Sequence, residues 1–394
     1  MVKALSRTEP EPEAPVLGAP WKGRVLRNYG LSRLIVLAAA FVAAAGTDPG
    51  RGPWPSLPGP HLAVLRALGR WDGAWYLDMA QHGYHQANVW PRGGASFAFF
   101  PLFSWIVGAG SWVTHLSPLI VALVLTTTLG GVAALLIWLL TAQIFGDQVA
   151  HRAAALFCFF PGAFVLSMAY TEALTIAAAA GALLALSRRR WALAGVLGAA
   201  AAMTRPTAGV LVFAAAWCAI SAWRRGEGLR PLWAPVLTAA GTLGVVGYQW
   251  ALSGHMLEWL HVETTAWRDH SGFTLQAGQR LLDFVRSPQF NFGIGGLNDL
   301  VWAGGLAVAL LGVWLIIRRR LPAALTIYGI GALVFAASSF NVGDRPRPLI
   351  VAFPLIIAIA ASVTGWKWRV VIVASAVGLA AMSLVTFLTL SAVP

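Results

Sequence analysis

The sequence predicts an all-α polytopic membrane protein with about eleven transmembrane helices. Of its 394 residues, 58% are hydrophobic and only 11% are charged, which lies outside the range of a soluble globular domain. The hydrophobic residues form long stretches of about 20 residues, the length that crosses the hydrocarbon core as a helix. Basic residues cluster between those stretches, so the formal net charge of +13 indicates membrane topology and excludes a continuous nucleic-acid-binding face.

The first 30 residues predict a cytoplasmic tail. Three glutamates and several prolines precede Lys22, Arg24 and Arg27, and the short apolar core and cleavage site of a signal peptide are missing. Basic loops tend to stay on the cytoplasmic side of a membrane. The other predicted inner loops are therefore those that carry Arg152, Arg188–Arg190, Arg224–Arg230, Arg318–Arg320 and Lys367–Arg369.

This orientation defines one transmembrane domain from residue 31 to residue 394. Its predicted spans are Leu31–Gly46, Leu119–Phe145, Ala153–Ala169, Thr171–Ser187, Leu232–Leu252, Leu300–Ile317, Leu321–Ser339, Leu349–Thr364 and Val370–Ser391. The stretch Trp191–Met203 would form a helix of about 20 Å, too short for a hydrocarbon core of about 30 Å. With Thr207–Trp223 it predicts a helical hairpin whose tip carries Arg205 inside the membrane.

Three outer segments, at residues 47–118, 253–299 and 340–348, are the places where we expect functional chemistry. Within the first, Phe99–Leu116 is apolar enough to cross the membrane, but a crossing there would move Arg188–Arg190 to the outside. We therefore expect a helix along the membrane surface. Most acidic residues map to the outer side, which predicts an outward-facing polar site.

The densest group of polar and aromatic residues is Arg70–Tyr84, in the first outer loop. A helix that begins at Gly73 would place Asp72, Trp75, Tyr76 and Met79 on one face. Aromatic rings stack on sugars and a carboxylate accepts a hydroxyl proton, so this face suits a sugar site. The residues alone leave a second interpretation open, in which Asp72 caps the helix and the two rings belong to an interfacial aromatic belt.

Asp78, His82 and His85 follow the spacing i, i+4 and i+7, which could place three metal ligands on one helix face. Gly83 weakens that helix, and no other ligand set is evident in the sequence. We therefore favour a solvated polar face and predict no metal at these residues.

Three arginines lie where charge is disfavoured. Arg205 near the middle of the membrane would cost about 2.5–3.5 kcal/mol unless it faces a cavity or an anion. Arg345 and Arg347 lie on an outer loop, and the alternative for them is snorkelling to the interface. Because a guanidinium fork matches a phosphate, the three together predict a phosphate-bearing lipid head group. Glu172, near Tyr170 at an outer span end, either binds substrate or forms an internal ion pair.

The sequence has no GxGxxG in a strand–helix context, no P-loop and no DxD triplet. These motifs are typical of nucleotide-binding sites. A transferase with this sequence would therefore take its donor from the membrane.

Several segments resemble the PIG-V family, the mannosyltransferases that add the second mannose of glycosylphosphatidylinositol anchors, and their bacterial relatives. The resemblance covers most of the chain beyond the tail. It is carried by Arg70–Gly73 with Trp75 and Tyr76, His82–Tyr84, Phe97–Phe103, Phe159–Leu174, Met203–Gly209, Trp267 and Arg345–Pro354.

The resemblance implies a GT-C glycosyltransferase fold, a polyprenyl-phosphate mannose donor, and an essential aspartate in the first outer loop, which maps onto Asp72 as general base. With it, the predicted phosphate ligands are Arg205, Arg345 and Arg347. The predicted substrate-binding residues are Arg70, Trp71, Trp75, Tyr76, Tyr170, Glu172 and Trp267. The reaction would invert the anomeric carbon and need neither a cofactor nor a metal. We expect a lipid or glycan acceptor, a plasma-membrane location with surrounding membrane lipids, an extracytoplasmic site and no nucleic-acid partner.

Two alternatives stay open on the sequence. One is a GT-C enzyme that uses another polyprenyl-phosphate sugar. The other is a transporter or flippase for a lipid-linked sugar, which would also place arginines beside a broken helical hairpin. The crowding of polar residues on the outer side favours the transferase. If Asp72 is not the base, Glu172, Glu258 and Glu263 are the next carboxylates on that side.

Overall fold

The computed structural model describes residues 21–46, 62–84, 95–267, 286, 294–338 and 346–388. All regular structure in those residues is helical, as predicted. The α-helices are α1 (Trp21–Gly46), α2 (Ala63–Gly69), α3 (Asp72–His82), α4 (Leu102–Thr114), α5 (Pro118–Phe145), α6 (Asp147–Phe159), α7 (Glu172–Ser187), α8 (Trp191–Ala202), α9 (Leu211–Arg224), α10 (Trp233–Ser253), α11 (Glu258–Thr265), α12 (Ile294–Arg318), α13 (Ala323–Ala337), α14 (Pro346–Val351), α15 (Pro354–Ser362) and α16 (Gly365–Leu388). Short 3₁₀ helices lie at Ala95–Ala98, Pro161–Ser167, Pro206–Val210 and Arg230–Leu232.

The helices are those of a membrane-embedded protein. Four described helical stretches are long and apolar enough to cross a membrane, namely Trp21–Gly46, Pro118–Phe145, Pro206–Arg224 and Gly365–Leu388. A fifth results if Asp147–Phe159 and Pro161–Ser167, which meet at 71°, form one broken span. Shorter apolar helices at Glu172–Ser187, Ala303–Arg318 and Ala323–Ala337 overlap three of the predicted spans. The span predicted at Leu232–Leu252 is a helix of 21 residues, α10. The total of about eleven spans therefore stays a prediction.

Prolines account for two differences from the predicted spans. The span predicted at Ala153–Ala169 bends after Phe159, where Pro161 begins a 3₁₀ helix. The span predicted at Leu349–Thr364 consists of two helices, and the second begins at Pro354. Proline lacks the N–H that a continuous helix needs and is tolerated in a first turn. The first helix also differs, because it begins at Trp21 and so takes up the end of the segment predicted as a tail.

Arg33 stabilises the bend after Phe159. This arginine lies on α1 and is only 5% exposed. Its guanidinium donates hydrogen bonds to the Ala163 carbonyl at 2.7 Å, the Ser167 hydroxyl at 3.0 Å and the Cys158 carbonyl at 3.4 Å. A broken helix inside a membrane needs such partners for its free carbonyl groups. The cation therefore fixes the segment that leads directly to α7.

The predicted inner loops meet at one end of the bundle. Arg189 lies 3.2 Å from Glu227, and Arg319 donates to the Ser362 hydroxyl at 2.9 Å. Arg152 donates to the carbonyl of the next residue, Val363. Loops that are far apart in the sequence are thus adjacent in space, in agreement with their assignment to one side. Their cytoplasmic location stays a prediction.

The first outer loop packs on the helical bundle at the opposite end. The Ser104 hydroxyl on α4 donates to the Tyr76 carbonyl on α3 at 2.9 Å. The Ala169 amide donates to the Leu68 carbonyl at 2.9 Å. These contacts hold α3 between α4 and the segment that precedes α7.

Candidate active site

A cavity of about 390 Å³ lies at the end of the bundle opposite the predicted inner loops, which we call the outer end. It is located between α3, the segment after α8, and α11, α13 and α14. One wall is polar and includes Asp72, Tyr76, Thr204, Arg205 and Arg347. The rest of the lining is mostly apolar and includes Leu260, Ala332, Phe335, Ala336 and Val351. A ligand that combines a charged group with a hydrocarbon chain matches this division.

A cluster of two carboxylates and two guanidinium groups forms the polar wall and the layer behind it. Arg347 Nη1 lies 2.6 Å from Asp72 Oδ2, and Arg347 Nε lies 2.5 Å from Glu172 Oε1. Arg205 Nη1 contacts the same Glu172 oxygen. The four side chains have no net charge when all are ionised. One glutamate therefore holds both cavity-lining arginines, and one of these arginines also holds Asp72.

Burial within this cluster increases away from the cavity. The Glu172 side chain is fully buried and that of Arg347 is 5% exposed, whereas Arg205 is 17% and Asp72 is 22% exposed. Buried ion pairs contribute little net stability but are strongly destabilised when one partner is lost. The arrangement therefore places Arg205 and Asp72 at the cavity surface, supported by more deeply buried ion-pair partners.

The backbone before Asp72 has an unusual conformation. Trp71 has φ 60° and ψ −131°, a region that non-glycine residues seldom adopt. Such conformations persist where the surrounding structure imposes them. Trp71 is the N-cap residue of α3, and Asp72 is the first residue of the helix. The Asp72 carboxylate therefore does not occupy the cap position that the alternative interpretation required, and it points instead to Arg347.

Gly162 allows α14 to approach the centre of the bundle. A Cβ atom at this glycine would lie 1.9 Å from the Pro346 carbonyl oxygen. The next residue, Arg347, has its guanidinium carbon 4.4 Å from the centre of the Tyr170 ring, a cation–π contact. Arg347 is therefore buried and held on two sides, so the snorkelling interpretation is wrong for it.

Tyr76 contributes an aromatic face to the cavity. Its ring contacts Phe99 and Phe103 edge-on, with centroids 5.1 and 5.5 Å apart. Burial raises the pKa of Tyr76 to about 12, so its hydroxyl stays protonated and can donate a hydrogen bond at neutral pH.

Other predicted substrate-binding residues form the layer behind the cavity wall. Trp75 and Trp267 contact each other edge-on, with ring centroids 5.7 Å apart, and both pack on Phe99. Arg70 is buried and donates to the Phe387 carbonyl at 2.7 Å, while the Trp71 indole donates to Thr386 at 3.5 Å. Helical periodicity placed Trp75 beside Asp72, but Phe99 and Trp267 cover its ring. Substrate contacts of these four residues stay predictions.

The predicted polar residues further along α3 lie away from the cavity. Asp78 and His82 are hydrogen-bonded at 3.0 Å, while His85 and Arg345 lie outside the described residues. In the described part of the chain, no group of three or more His, Cys, Asp or Glu side chains could hold a metal ion.

The sequence predicted Glu263 only as an alternative carboxylate to Asp72, and it did not indicate Thr204 and Trp259 as site residues, although all three line the cavity. Trp259 and Glu263 are spaced i, i+4 on α11, which places them on one face of a helix. This spacing in a predicted outer loop could have indicated that the two side chains share one helix face in the site. Thr204 is adjacent to Arg205, and its hydroxyl lies 2.7 Å from that of Thr175.

Comparison with known proteins confirms the family resemblance for the part of the chain that carries α2 to α9. Residues 61–223 match the family described as Mannosyltransferase (PIG-V). A segment of 131 residues, 31% of this chain, is 30% identical to GPI mannosyltransferase 2 of Drosophila pseudoobscura pseudoobscura. That segment covers 27% of the relative, so the chain matches only about a quarter of its length.

A solved structure with a TM-score above 0.5 confirms the predicted GT-C glycosyltransferase fold. ArnT from Cupriavidus metallidurans bound to undecaprenyl phosphate aligns with a TM-score of 0.53 and 15% identity, over 91% of this chain and 64% of ArnT. The same protein in the apo state gives 0.49 and 16%, over 87% and 61%. The archaeal oligosaccharyltransferase AglB from Archaeoglobus fulgidus, in complex with an inhibitory peptide and a dolichol-phosphate, gives 0.45 and 15%, over 95% and 56%.

Proposed function

We propose that this protein is a membrane glycosyltransferase that moves a mannosyl residue from a polyprenyl-phosphate mannose to a lipid or glycan acceptor on the extracytoplasmic face of the plasma membrane. One observation carries the proposal. A single cavity is lined by Asp72, Arg205 and Arg347 together with apolar residues such as Phe335, Ala336 and Val351. A base, two phosphate ligands and a surface for a hydrocarbon chain are the parts that this transfer needs.

The division of the cavity suits a lipid-linked donor. The polyprenyl chain would lie against Phe335, Ala336 and Val351, and its phosphate would contact Arg205 and Arg347, which line the same cavity. Arginine is well suited to a phosphate because its planar fork can donate two parallel hydrogen bonds. The undecaprenyl phosphate bound to ArnT, which shares the fold, supports a carrier of this class.

The reaction is a displacement at the anomeric carbon with inversion. An acceptor hydroxyl oxygen forms the new bond to that carbon while the bond from the carbon to the phosphate oxygen breaks. Asp72 accepts the hydroxyl proton, and the departing phosphate takes the bonding electrons. Arg205 and Arg347 stabilise the charge that develops on the phosphate, as preorganised cationic donors do in other transferases.

Arg347 couples donor binding to the release of the base. In the structure its Nη1 holds Asp72 and its Nε holds Glu172. A donor phosphate would compete with the Asp72 carboxylate for the donors of Arg347. Glu172, which is fully buried, would keep the guanidinium in place during this exchange. The Asp72 carboxylate would thereby become available to the acceptor hydroxyl only when a donor is bound.

The experiment that tests the proposal is transfer by the purified protein in lipid nanodiscs. Polyprenyl-phosphate mannose is offered beside the corresponding glucosyl and arabinofuranosyl donors, with extracted membrane glycolipids as acceptors. We expect transfer from the mannosyl donor and release of polyprenyl phosphate in equal amount. Transfer from only one of the other donors would show that the transferred sugar is not mannose but the sugar of that donor. Movement of intact donor across the bilayer without transfer would contradict the proposal.

Arg205→Ala tests whether Arg205 binds the donor phosphate. It removes one cation from the cavity wall but leaves the pairing of Arg347 with Asp72 and Glu172. We expect a weaker apparent affinity for the donor. Arg205→Lys should recover part of that affinity, because an ammonium binds phosphate but cannot donate the two parallel hydrogen bonds of a guanidinium. Unchanged donor affinity in Arg205→Ala would assign this arginine to structure alone.

A further inference from the structure

A second cavity, which we call the inner cavity, lies at the end of the bundle that carries the predicted inner loops. Its volume is about 1090 Å³, and it is bounded by the ends of α5, α7 and α9 and the start of α13. The outer cavity, at about 390 Å³, shares no lining residue with it. The inner cavity therefore belongs to a different part of the molecule from the proposed active site, and its role does not depend on that proposal.

Three arginines line the polar part of the inner cavity: Arg188, Arg189 and Arg225. Arg188 faces a neutral partner, the side-chain amide of Gln143. In the amide orientation that satisfies the neighbouring donors and acceptors, Arg188 Nε and Nη2 each donate to the Gln143 oxygen at 2.9 Å. The same amide donates to the Ser187 hydroxyl at 3.1 Å. Gln143 thus fixes the position of the Arg188 guanidinium without neutralising its charge.

The inner cavity keeps a positive surplus after its carboxylates are taken into account. Glu227 Oε1 lies 3.2 Å from Arg189 Nη1 and 3.1 Å from Arg225 Nε, and Asp147 also lines the cavity. Three guanidinium groups and two carboxylates leave one unbalanced positive charge. Arg189 and Arg225 are more than half exposed, at 62% and 53%, so a ligand can reach their remaining N–H groups.

The remaining lining of the inner cavity is largely apolar. It includes Leu140, Leu183, Leu186 and Trp217. Trp217 is 53% exposed, so its ring is accessible to an acyl chain in the cavity. A free inorganic anion would make no favourable contact with such an apolar surface.

We propose that the inner cavity binds an anionic phospholipid of the cytoplasmic leaflet. Its phosphate would contact Arg188 and Arg225, and its two acyl chains would lie along the apolar lining between α7 and α9. Basic pockets between helices on the cytoplasmic side suit anionic head groups. The volume of about 1090 Å³ favours a two-chain phospholipid over a polyprenyl phosphate, which has one chain.

The test is native mass spectrometry of the full-length protein in detergent with phosphatidylglycerol and, separately, phosphatidylcholine of the same acyl chains. Arg188→Gln/Arg225→Gln removes two cavity cations. Lys367→Gln/Arg369→Gln is the matched control, because it removes two exposed cations of α16 that do not line the cavity. At about 1 kcal/mol per cation, we expect about a 30-fold loss of phosphatidylglycerol affinity in the first variant. The control should stay within about twofold of the unmodified protein.

Equal phosphatidylglycerol affinity in the two double variants would overturn the proposal. So would equal binding of phosphatidylcholine and phosphatidylglycerol by the unmodified protein. Glycerol phosphate and undecaprenyl phosphate are added as competitors. Displacement of the lipid by glycerol phosphate would indicate a site for free phosphate, and stronger binding of undecaprenyl phosphate would indicate a carrier-lipid site. If the double variant does not fold, Arg188→Gln alone should show about a fivefold loss.

Discussion

A glutamate bridges two arginines at each end of the bundle, and the two bridges differ in burial. At the outer end, fully buried Glu172 holds Arg205 and Arg347. At the inner end, Glu227 is 20% exposed and holds Arg189 and Arg225, which are more than half exposed. Exposed ion pairs are screened and contribute about 0–1 kcal/mol, whereas loss of one partner from a buried pair costs about 3–5 kcal/mol. The same side-chain pattern is therefore structurally critical at one end and nearly neutral at the other.

The largest expected difference is between Arg347→Ala and Arg225→Ala. Arg347→Ala removes one of the proposed phosphate ligands and leaves the buried Glu172 and nearby Asp72 without this cation. We expect transfer to fall by about 10²- to 10³-fold and the free energy of unfolding to fall by about 3–5 kcal/mol. Arg225→Ala should leave transfer within about twofold of the unmodified rate and stability within about 1 kcal/mol. Initial rates and denaturant unfolding measure both.

Because Arg347→Ala can also fail to fold, Arg347→Lys is made beside it. Lysine keeps the charge but cannot contact Asp72 and Glu172 through separate N–H groups of one planar fork. A folded Arg347→Lys protein with unmodified donor affinity and turnover would contradict the role given to the fork.

A smaller difference is expected between Glu172→Gln and Glu227→Gln. Glutamine keeps the shape of Glu172 and one acceptor oxygen but removes the charge that orients both arginines. The cavity then carries a positive surplus, so the donor KM should not rise. The turnover number should fall by about tenfold or more, because the phosphate ligands and Asp72 lose their preorganised geometry. Glu227→Gln should change neither constant.

A role of Glu172 in stability alone would lower the amount of folded enzyme without this split between KM and kcat. Rates are therefore referred to the folded fraction, measured by size-exclusion chromatography. A rise in donor KM with an unchanged turnover number would show that Glu172 binds substrate directly.

The smallest expected effect is the coupling between Arg189 and Glu227. A double-mutant cycle with Arg189→Gln and Glu227→Gln should give a coupling energy of about 0.2–1 kcal/mol. The coupling should decrease with added salt, because the side chains are exposed. A salt-independent coupling of several kcal/mol would show that the inner bridge is as buried in solution as the outer one, and would remove the contrast between the two ends.

Features of the site that depend on local sequence were predictable. A helix too short for the bilayer predicted a break near Arg205, and α8 does end at Ala202. The 3.6-residue helical period also predicted α3 and the shared cavity face of Asp72 and Tyr76, which are four residues apart. Both inferences use only periodicity and length, which a single segment contains.

Features that depend on long-range pairing were not predictable. Glu172 and Arg347 are 175 residues apart in the sequence, and nothing local indicates that they meet. The sequence left Glu172 between substrate binding and an internal ion pair, and the structure shows the ion pair. The buried position of Arg33 and the covering of Trp75 by Phe99 and Trp267 follow in the same way from tertiary packing.

The central claim is that Asp72 is the base and that Arg347 holds it until a donor binds. Asp72→Asn tests this most directly, because asparagine has nearly the same shape but cannot accept the proton. Transfer and donor binding are measured on the same nanodisc preparation. We predict unmodified thermal stability, donor binding that is unchanged or tighter because Arg347 is no longer shared, and a loss of transfer of about 10²- to 10⁴-fold. Near-normal transfer by Asp72→Asn would contradict the account.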